Sequence, residues 1–147
     1  MKYKKIGVGL LLVILCIIAY NMITAEMTSD AYLDEIYLGQ INNYVSEKLK
    51  TASDGYNIDL TKVPYFERHK ERFSISPSIV PQENKIIIIY NPSFRQNSTD
   101  WIALVRRADW RNSIQGPLVL LGDGTIVRSK TVLKGIESQK GIKVYSY

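Results

Sequence analysis

Six side chains in the C-terminal 47 residues could recognise a polymer: Trp101 and Trp110, with Arg106, Arg107, Arg111 and Arg128. Indole rings stack on sugar or base rings, and guanidinium groups pair with phosphates and carboxylates. Together they would suit an anionic envelope polymer. The catalytic candidates are thinner. Ser129-Lys130 has the residue types of a Ser/Lys hydrolase, but neighbours on a strand point to opposite faces and do not form a dyad. His69, the only histidine, stands in Glu67-Arg68-His69-Lys70-Glu71-Arg72 and reads as a surface residue rather than a general base. Asp54-Gly55-Tyr56-Asn57-Ile58-Asp59 lacks the alternating oxygen ligands and closing Glu of a calcium loop, so it reads as a turn. The expectation is a non-enzymatic protein with no catalytic residue, metal or cofactor.

Charge and cysteine content narrow the classes further. Residues 24–147 carry 16 basic and 14 acidic side chains, too nearly balanced to argue for nucleic-acid binding. The charge is unevenly spread: residues 24–100 hold 8 basic against 11 acidic groups, and residues 101–147 hold 8 against 3. Such polarity would steer head-to-tail self-association or contact with an anionic polymer. The single cysteine, Cys16, lies in an apolar run, so residues 24–147 have no disulfide, cysteine metal site or cysteine nucleophile.

That apolar run organises the chain. Ile6–Ile23 follows the basic start Lys2-Tyr3-Lys4-Lys5 and has no charged side chain. At ~1.5 Å per residue, its 18 positions cover about 27 Å of a ~30 Å hydrocarbon layer, with Tyr3 and Tyr20 at the boundaries. The basic flank puts the N-terminus in the cytoplasm and the rest of the chain outside. A cleaved leader ending at Ala25 would place the bulky Ile23 three residues before the cut, so an uncleaved anchor is the expectation. The predicted division is an anchor over residues 1–25, in contact with membrane lipid through residues 6–23, and an exported domain over residues 26–147.

Thr28-Ser29-Asp30 reads as a helix start, with Asp34 and Glu35 at the positive end of the helix dipole. Leu33, Ile36, Tyr37, Ile41, Tyr44, Val45 and Leu49 then form one apolar stripe, predicting an amphipathic helix to about Ala52. With little between this helix and the anchor, the two are read as one long rod, broken or bent near 24–29. A short exposed helix is expected within Val63–Arg72. Strands follow: Lys85–Tyr90, apolar on both faces and so covered; Trp101–Val105; and Leu118–Leu121 with Thr125–Arg128 around Gly122-Asp123-Gly124. The Asp-Gly pair predicts a type I′ hairpin. Thr131–Gln139 reads as a short helix and Ile142–Tyr145 as a last, edge strand. The fold class is α+β, with an amphipathic helix on a small antiparallel sheet.

An N-terminal anchor, an amphipathic helix and a C-terminal antiparallel sheet, in that order, resemble the layout of type IV pilins and pseudopilins. Gly122-Asp123-Gly124-Thr125-Ile126-Val127 is similar to the end of the prepilin-type segment named for a His, nine residues and Asp-Gly, with Ser113 at the His position. The resemblance implies a subunit or accessory protein of a cell-envelope secretion or filament apparatus. It would act by self-association or by contact with other apparatus proteins, with Gly7 and Gly9 letting anchors approach closely. It gives Asp123 and Gly124 a turn-forming role. Gly122-Asp123 also has a faint likeness to a motif of signal peptidases, which would imply the hydrolase chemistry of the third, least favoured reading.

Overall fold

The computed structural model describes residues 2–51, 55, 57–82, 85–108, 115–136, 139 and 141–147, apart from the side chains of residues 2–8, 10 and 26–29. The chain divides into two compact units, Met1–Leu33 and Asp34–Tyr147. Helix α1 is Lys2–Lys48. It does not begin at Asp30, because backbone helix runs through 24–29 and leaves no free N–H groups there for Ser29 or Asp30 to cap. Thr24 Oγ1 donates to the carbonyls of Tyr20 (2.9 Å) and Asn21 (3.0 Å), so its hydroxyl is satisfied inside the helix rather than breaking it.

In the first unit the described apolar side chains of the helix are exposed. Leu11, Leu12, Val13, Ile14, Leu15, Ile17 and Ile18 are all exposed, as is Cys16. This helix, near the N-terminus, is long and apolar enough to cross a membrane.

The second unit is an α+β domain built on one antiparallel sheet. Among the described residues, the strands are β1 Ser74–Ile75, β2 Ile86–Tyr90, β3 Trp101–Arg107, β4 Leu118–Leu121, β5 Ile126–Arg128 and β6 Lys143–Ser146. Their order is β1-β6-β2-β3-β4-β5, every neighbouring pair antiparallel. Strands β2 to β5 form a meander. The chain then returns through α3, Thr131–Ile136, to lay β6 on the far side of β2. Strand β6 is therefore interior, not an edge. Ser74 and Ile75 pair with Ser146 and Tyr145 and take the edge themselves. A two-residue strand gives no periodicity to read.

Both faces of the sheet are covered, as the two-faced apolar run at Ile86–Ile89 requires. On one face Ile88, Tyr90, Ala103, Val105, Leu118, Leu120 and Tyr145 meet Tyr37, Leu38, Ile41 and Val45 of α1. A 3₁₀ turn, Leu60–Lys62, and α2, Pro64–Arg68, complete that layer through Leu60, Val63 and Phe66. Helix α2 was expected to be exposed, yet Phe66 is fully buried and stacks on Phe73, ring centroids 4.0 Å apart. On the other face Ile87, Ile89, Leu104 and Val119 pack with Ile136 of α3. A register shift between Trp101 and Ala103 turns Ile102 as well as Ala103 toward the first layer.

One ion pair is set into this core. Asp34, 5% exposed, accepts from Arg107 Nη2 at 2.7 Å and Nε at 2.9 Å, tying α1 to the end of β3. Asp34 is thus a core contact rather than a helix-start acid. Beside it, Tyr37, Tyr65 and Tyr147 cluster with ring centroids 5.6–6.2 Å apart. Burial, followed by the neighbouring Tyr65 and Tyr147, raises the Tyr37 hydroxyl far above its ordinary value.

Candidate functional site

The hairpin that stood out in the sequence forms one wall of a cleft. Strands β4 and β5 form the predicted hairpin, pairing Leu118 with Arg128, Val119 with Val127 and Leu120 with Ile126, one residue off the register that a two-residue Asp123-Gly124 turn would set. The turn between them differs from the expected type I′. Asp123 does not have a positive φ, whereas Gly124 does (+87°). Gly124 N–H donates to Leu121 O (2.9 Å) and Leu121 N–H to Thr125 O (2.9 Å). This is a three-residue loop in which Gly124 takes the left-handed position. Asp123 Oδ1 accepts from Thr125 N–H (2.9 Å) and from the Thr125 hydroxyl. Those bonds hold its carboxyl below the usual range, so it is ionised at neutral pH.

Gly122 has a different duty. A Cβ there would lie 2.3 Å from Arg95 O, because the β2–β3 loop presses directly on this backbone. Asn97 N–H donates to Gly122 O (2.9 Å) and Gly122 N–H to Asp100 O (2.7 Å). The loop is itself cross-braced. Arg95 Nε meets Asp100 Oδ2 at 2.8 Å, Ser98 Oγ donates to Arg95 O at 2.6 Å, and Asp100 N–H donates to Ser98 Oγ at 3.1 Å. At its start Asn91 Nδ2 donates to Trp101 O (2.8 Å), and Gln139 Nε2 to Asn91 Oδ1 (2.8 Å). Asn97 sits in the left-handed region (φ 55°), the one described non-glycine residue to do so. Asparagine tolerates that conformation better than most residues.

Between this loop, the hairpin and α1 lies a cleft of about 150 Å³. Helix α1 contributes Asn42 and Ser46, the loop contributes Phe94, Gln96 and Asn97, and the hairpin contributes Asp123. Nothing in the sequence isolated these residues, since amides and a serine on one helix face and in a polar loop are ordinary solvent-facing residues. The signal that was visible, Gly122-Asp123-Gly124, marks one wall.

The other sequence candidates among the described residues do not converge. Arg106 and Arg107 are strand neighbours directed to opposite faces: Arg106 Nη1 donates to Ile79 O (2.9 Å), and Arg107 is taken up by Asp34. Arg128 Nη1 donates to Gly116 O (3.1 Å) at the opposite end of the hairpin from its turn. Trp101 is half-buried against the Ile87–Leu104 layer. Trp110 and Arg111 lie outside the described residues. Ser129 and Lys130 follow β5 rather than lying on it, and Ser129 Oγ is 2.9 Å from Thr131 Oγ1. His69 rests its ring on Tyr65, centroids 4.9 Å apart. At Gly9 a Cβ would meet nothing within 4 Å; Gly7 falls on α1 where the side-chain surroundings lie outside the described residues. Among the described residues no three His, Cys, Asp or Glu side chains group as a metal site.

The chain matches no family model, no curated protein and no solved structure.

Proposed function

We propose that this chain is a membrane-anchored, pilin-like subunit or accessory protein of a cell-envelope secretion or filament apparatus, acting by assembly rather than by catalysis. One observation carries the reading. Along α1, an exposed apolar stretch precedes a stretch whose buried stripe lies on an antiparallel sheet that ends in the Asp123-Gly124 hairpin. The exposed apolar side chains between Leu11 and Ile23 favour lipid or other helices around them, since each Å² of apolar area left in water forgoes about 25 cal/mol. The three lysines before the run orient the N-terminus to the cytoplasm.

The sequence also sets this protein apart from ordinary pilins. Gly7 and Gly9 are followed by Val8 and Leu10, and the apolar run holds no acidic residue, so a prepilin cut is not part of the proposal. The anchor would remain whole and hold the domain at the membrane surface.

Cys16 supplies the test. It is exposed on the apolar segment and is the only cysteine in the chain. Membranes carrying the full chain are oxidised, or treated with a bismaleimide, and resolved without reductant. Assembly through the anchors gives a Cys16-dependent band at twice the monomer mass or heavier, lost in Cys16→Ser. A chain recovered from the soluble fraction, or one that stays monomeric in membranes under both treatments, overturns the reading.

A further inference from the structure

The cleft between α1, the β2–β3 loop and the hairpin has the chemistry of a sugar site, and we propose that it binds one neutral saccharide ring. Its polar walls are poor in charge. Among the described lining residues Asp123 is the single ionised group, and none is Lys, Arg or His. A phosphate or carboxylate would find no cation there and would meet the Asp123 carboxylate instead. What the walls do offer is neutral hydrogen-bonding capacity. Asn42, Gln96 and Asn97 each bring an amide with two donors and an acceptor, and Ser46 adds a hydroxyl. None of these four side chains is spent on a hydrogen bond elsewhere among the described residues. Asp123 spends Oδ1 on Thr125, and its Oδ2 adds further acceptor capacity.

Size and shape favour a ring. Sites that enclose a drug-sized ligand run to about 300–1,000 Å³. At about 150 Å³ this cleft has room for a single small ring or side chain. Hydroxyl groups on adjacent carbons of a pyranose both donate and accept, matching amides that do the same from the helix and the loop, with the Asp123 carboxylate accepting from the hairpin. Phe94 gives an apolar surface for the C–H face of such a ring, and it is pinned edge-on to Tyr90 at 6.4 Å. A peptide fits less well. Strand addition needs a free sheet edge, and this cleft is bounded by a helix face, a loop and a turn.

The walls are also held in place before any ligand arrives. The Arg95–Asp100 bridge, the Gly122 contacts and the left-handed Asn97 fix the loop against the hairpin. A preformed site loses less ordering entropy on binding. An Asn side chain displayed on a left-handed residue at the rim is the kind of backbone outlier that accompanies binding sites.

The full chain, isotopically labelled and held in a sugar-free phosphocholine detergent, is titrated with glucose, galactose, N-acetylglucosamine and N-acetylgalactosamine. The side-chain amides of Asn42, Gln96 and Asn97 are followed by NMR. Saturable shifts of these amides with a Kd around 1 mM, or tighter, are expected for at least one sugar. Asn97→Gly keeps the left-handed backbone and deletes one amide, so affinity falls about fivefold while the rest of the spectrum is unchanged. Asn42→Ala serves as the second variant with the same expected loss. Absence of saturable shifts with all four sugars at about 50 mM overturns the proposal. So does a response to a trialanine peptide that exceeds every sugar, or a sugar response that both variants leave intact.

Discussion

Two stretches of one helix, Leu11–Ile23 and Asp34–Lys48, meet opposite surroundings. In the first, Ile14 is 45% exposed and Tyr20 68%; in the second, Ile41 is fully buried and Tyr37 is 4% exposed. The second has a polar face and one buried stripe, so its burial is supplied by the sheet it lies on. The first is apolar except for Asn21, and its large apolar side chains are exposed. An all-apolar helix surface finds its stable setting in lipid or among other helices. The same element therefore contributes two different things: a core layer for the folded unit, which also lines the cleft, and an exposed apolar segment long enough to cross a membrane.

The comparison can be broken most severely at Asp34. Removing it in Asp34→Ala leaves the Arg107 guanidinium, itself mostly buried, without its carboxylate. Loss of one member of a buried pair costs about 3–5 kcal/mol. Chemical denaturation of the domain is expected to move by that amount, while Asp34→Leu combined with Arg107→Met recovers most of it. If Asp34→Ala leaves the midpoint unchanged, the ion pair is not part of what holds α1 to β3.

A milder break is the matched pair Ile41→Ala and Ile14→Ala. Ile41 is fully enclosed, so truncation removes transfer energy and opens a void, about 2–5 kcal/mol. Ile14 touches no core, and its truncation is expected to change domain stability by no more than about 0.5 kcal/mol. Equal losses at the two sites would mean that the helix stretches are not energetically separate.

Much of this was legible in the residues, and the failures share a cause. The strands at Ile86–Ile89 and Leu118–Leu121 and the presence of the 118–128 hairpin were readable because apolar runs and an Asp-Gly pair act locally, whereas the turn type, and with it the register, was not. Tyr37, Ile41 and Val45 stood out by helical spacing, but Leu38, fully buried, was hidden beside Tyr37, and Leu33 at the edge of the stripe is exposed. Asp34 looked like a helix-start acid because its partner lies 73 residues away. Strand β6 looked like an edge because β1 is too short to announce itself. The cleft was invisible for the same reason: Asn42, Asn97 and Asp123 are brought together only by tertiary structure. Gly122 was read as a turn glycine, whereas its constraint is a 2.3 Å approach of Arg95 O.

The smallest expected effect concerns alkaline pH and the buried tyrosines of the second unit. Burial pushes the Tyr145 hydroxyl up to about 12 from an ordinary 10.0, and burial with the Tyr65 hydrogen bond does the same for Tyr147. Tyr37 is raised by the same environment. A raised folded-state pKa means the native state holds the phenol proton more tightly than the unfolded chain does. The resulting stabilisation is complete below pH 10 and disappears as pH climbs through the folded value near 12. For the deeply buried Tyr145 alone it amounts to about 2 kcal/mol. Domain stability followed by denaturation at pH 8, 10 and 11.5 is therefore expected to hold level and then fall (on the order of 2 kcal/mol across the last step). Tyr145→Phe removes the titrating group together with the contact it accepts from Leu60 N–H at 3.4 Å. That variant should start lower at pH 8 and lose less between pH 10 and 11.5. A parallel decline in the two proteins would show that the buried phenol does not set the alkaline limit of the fold.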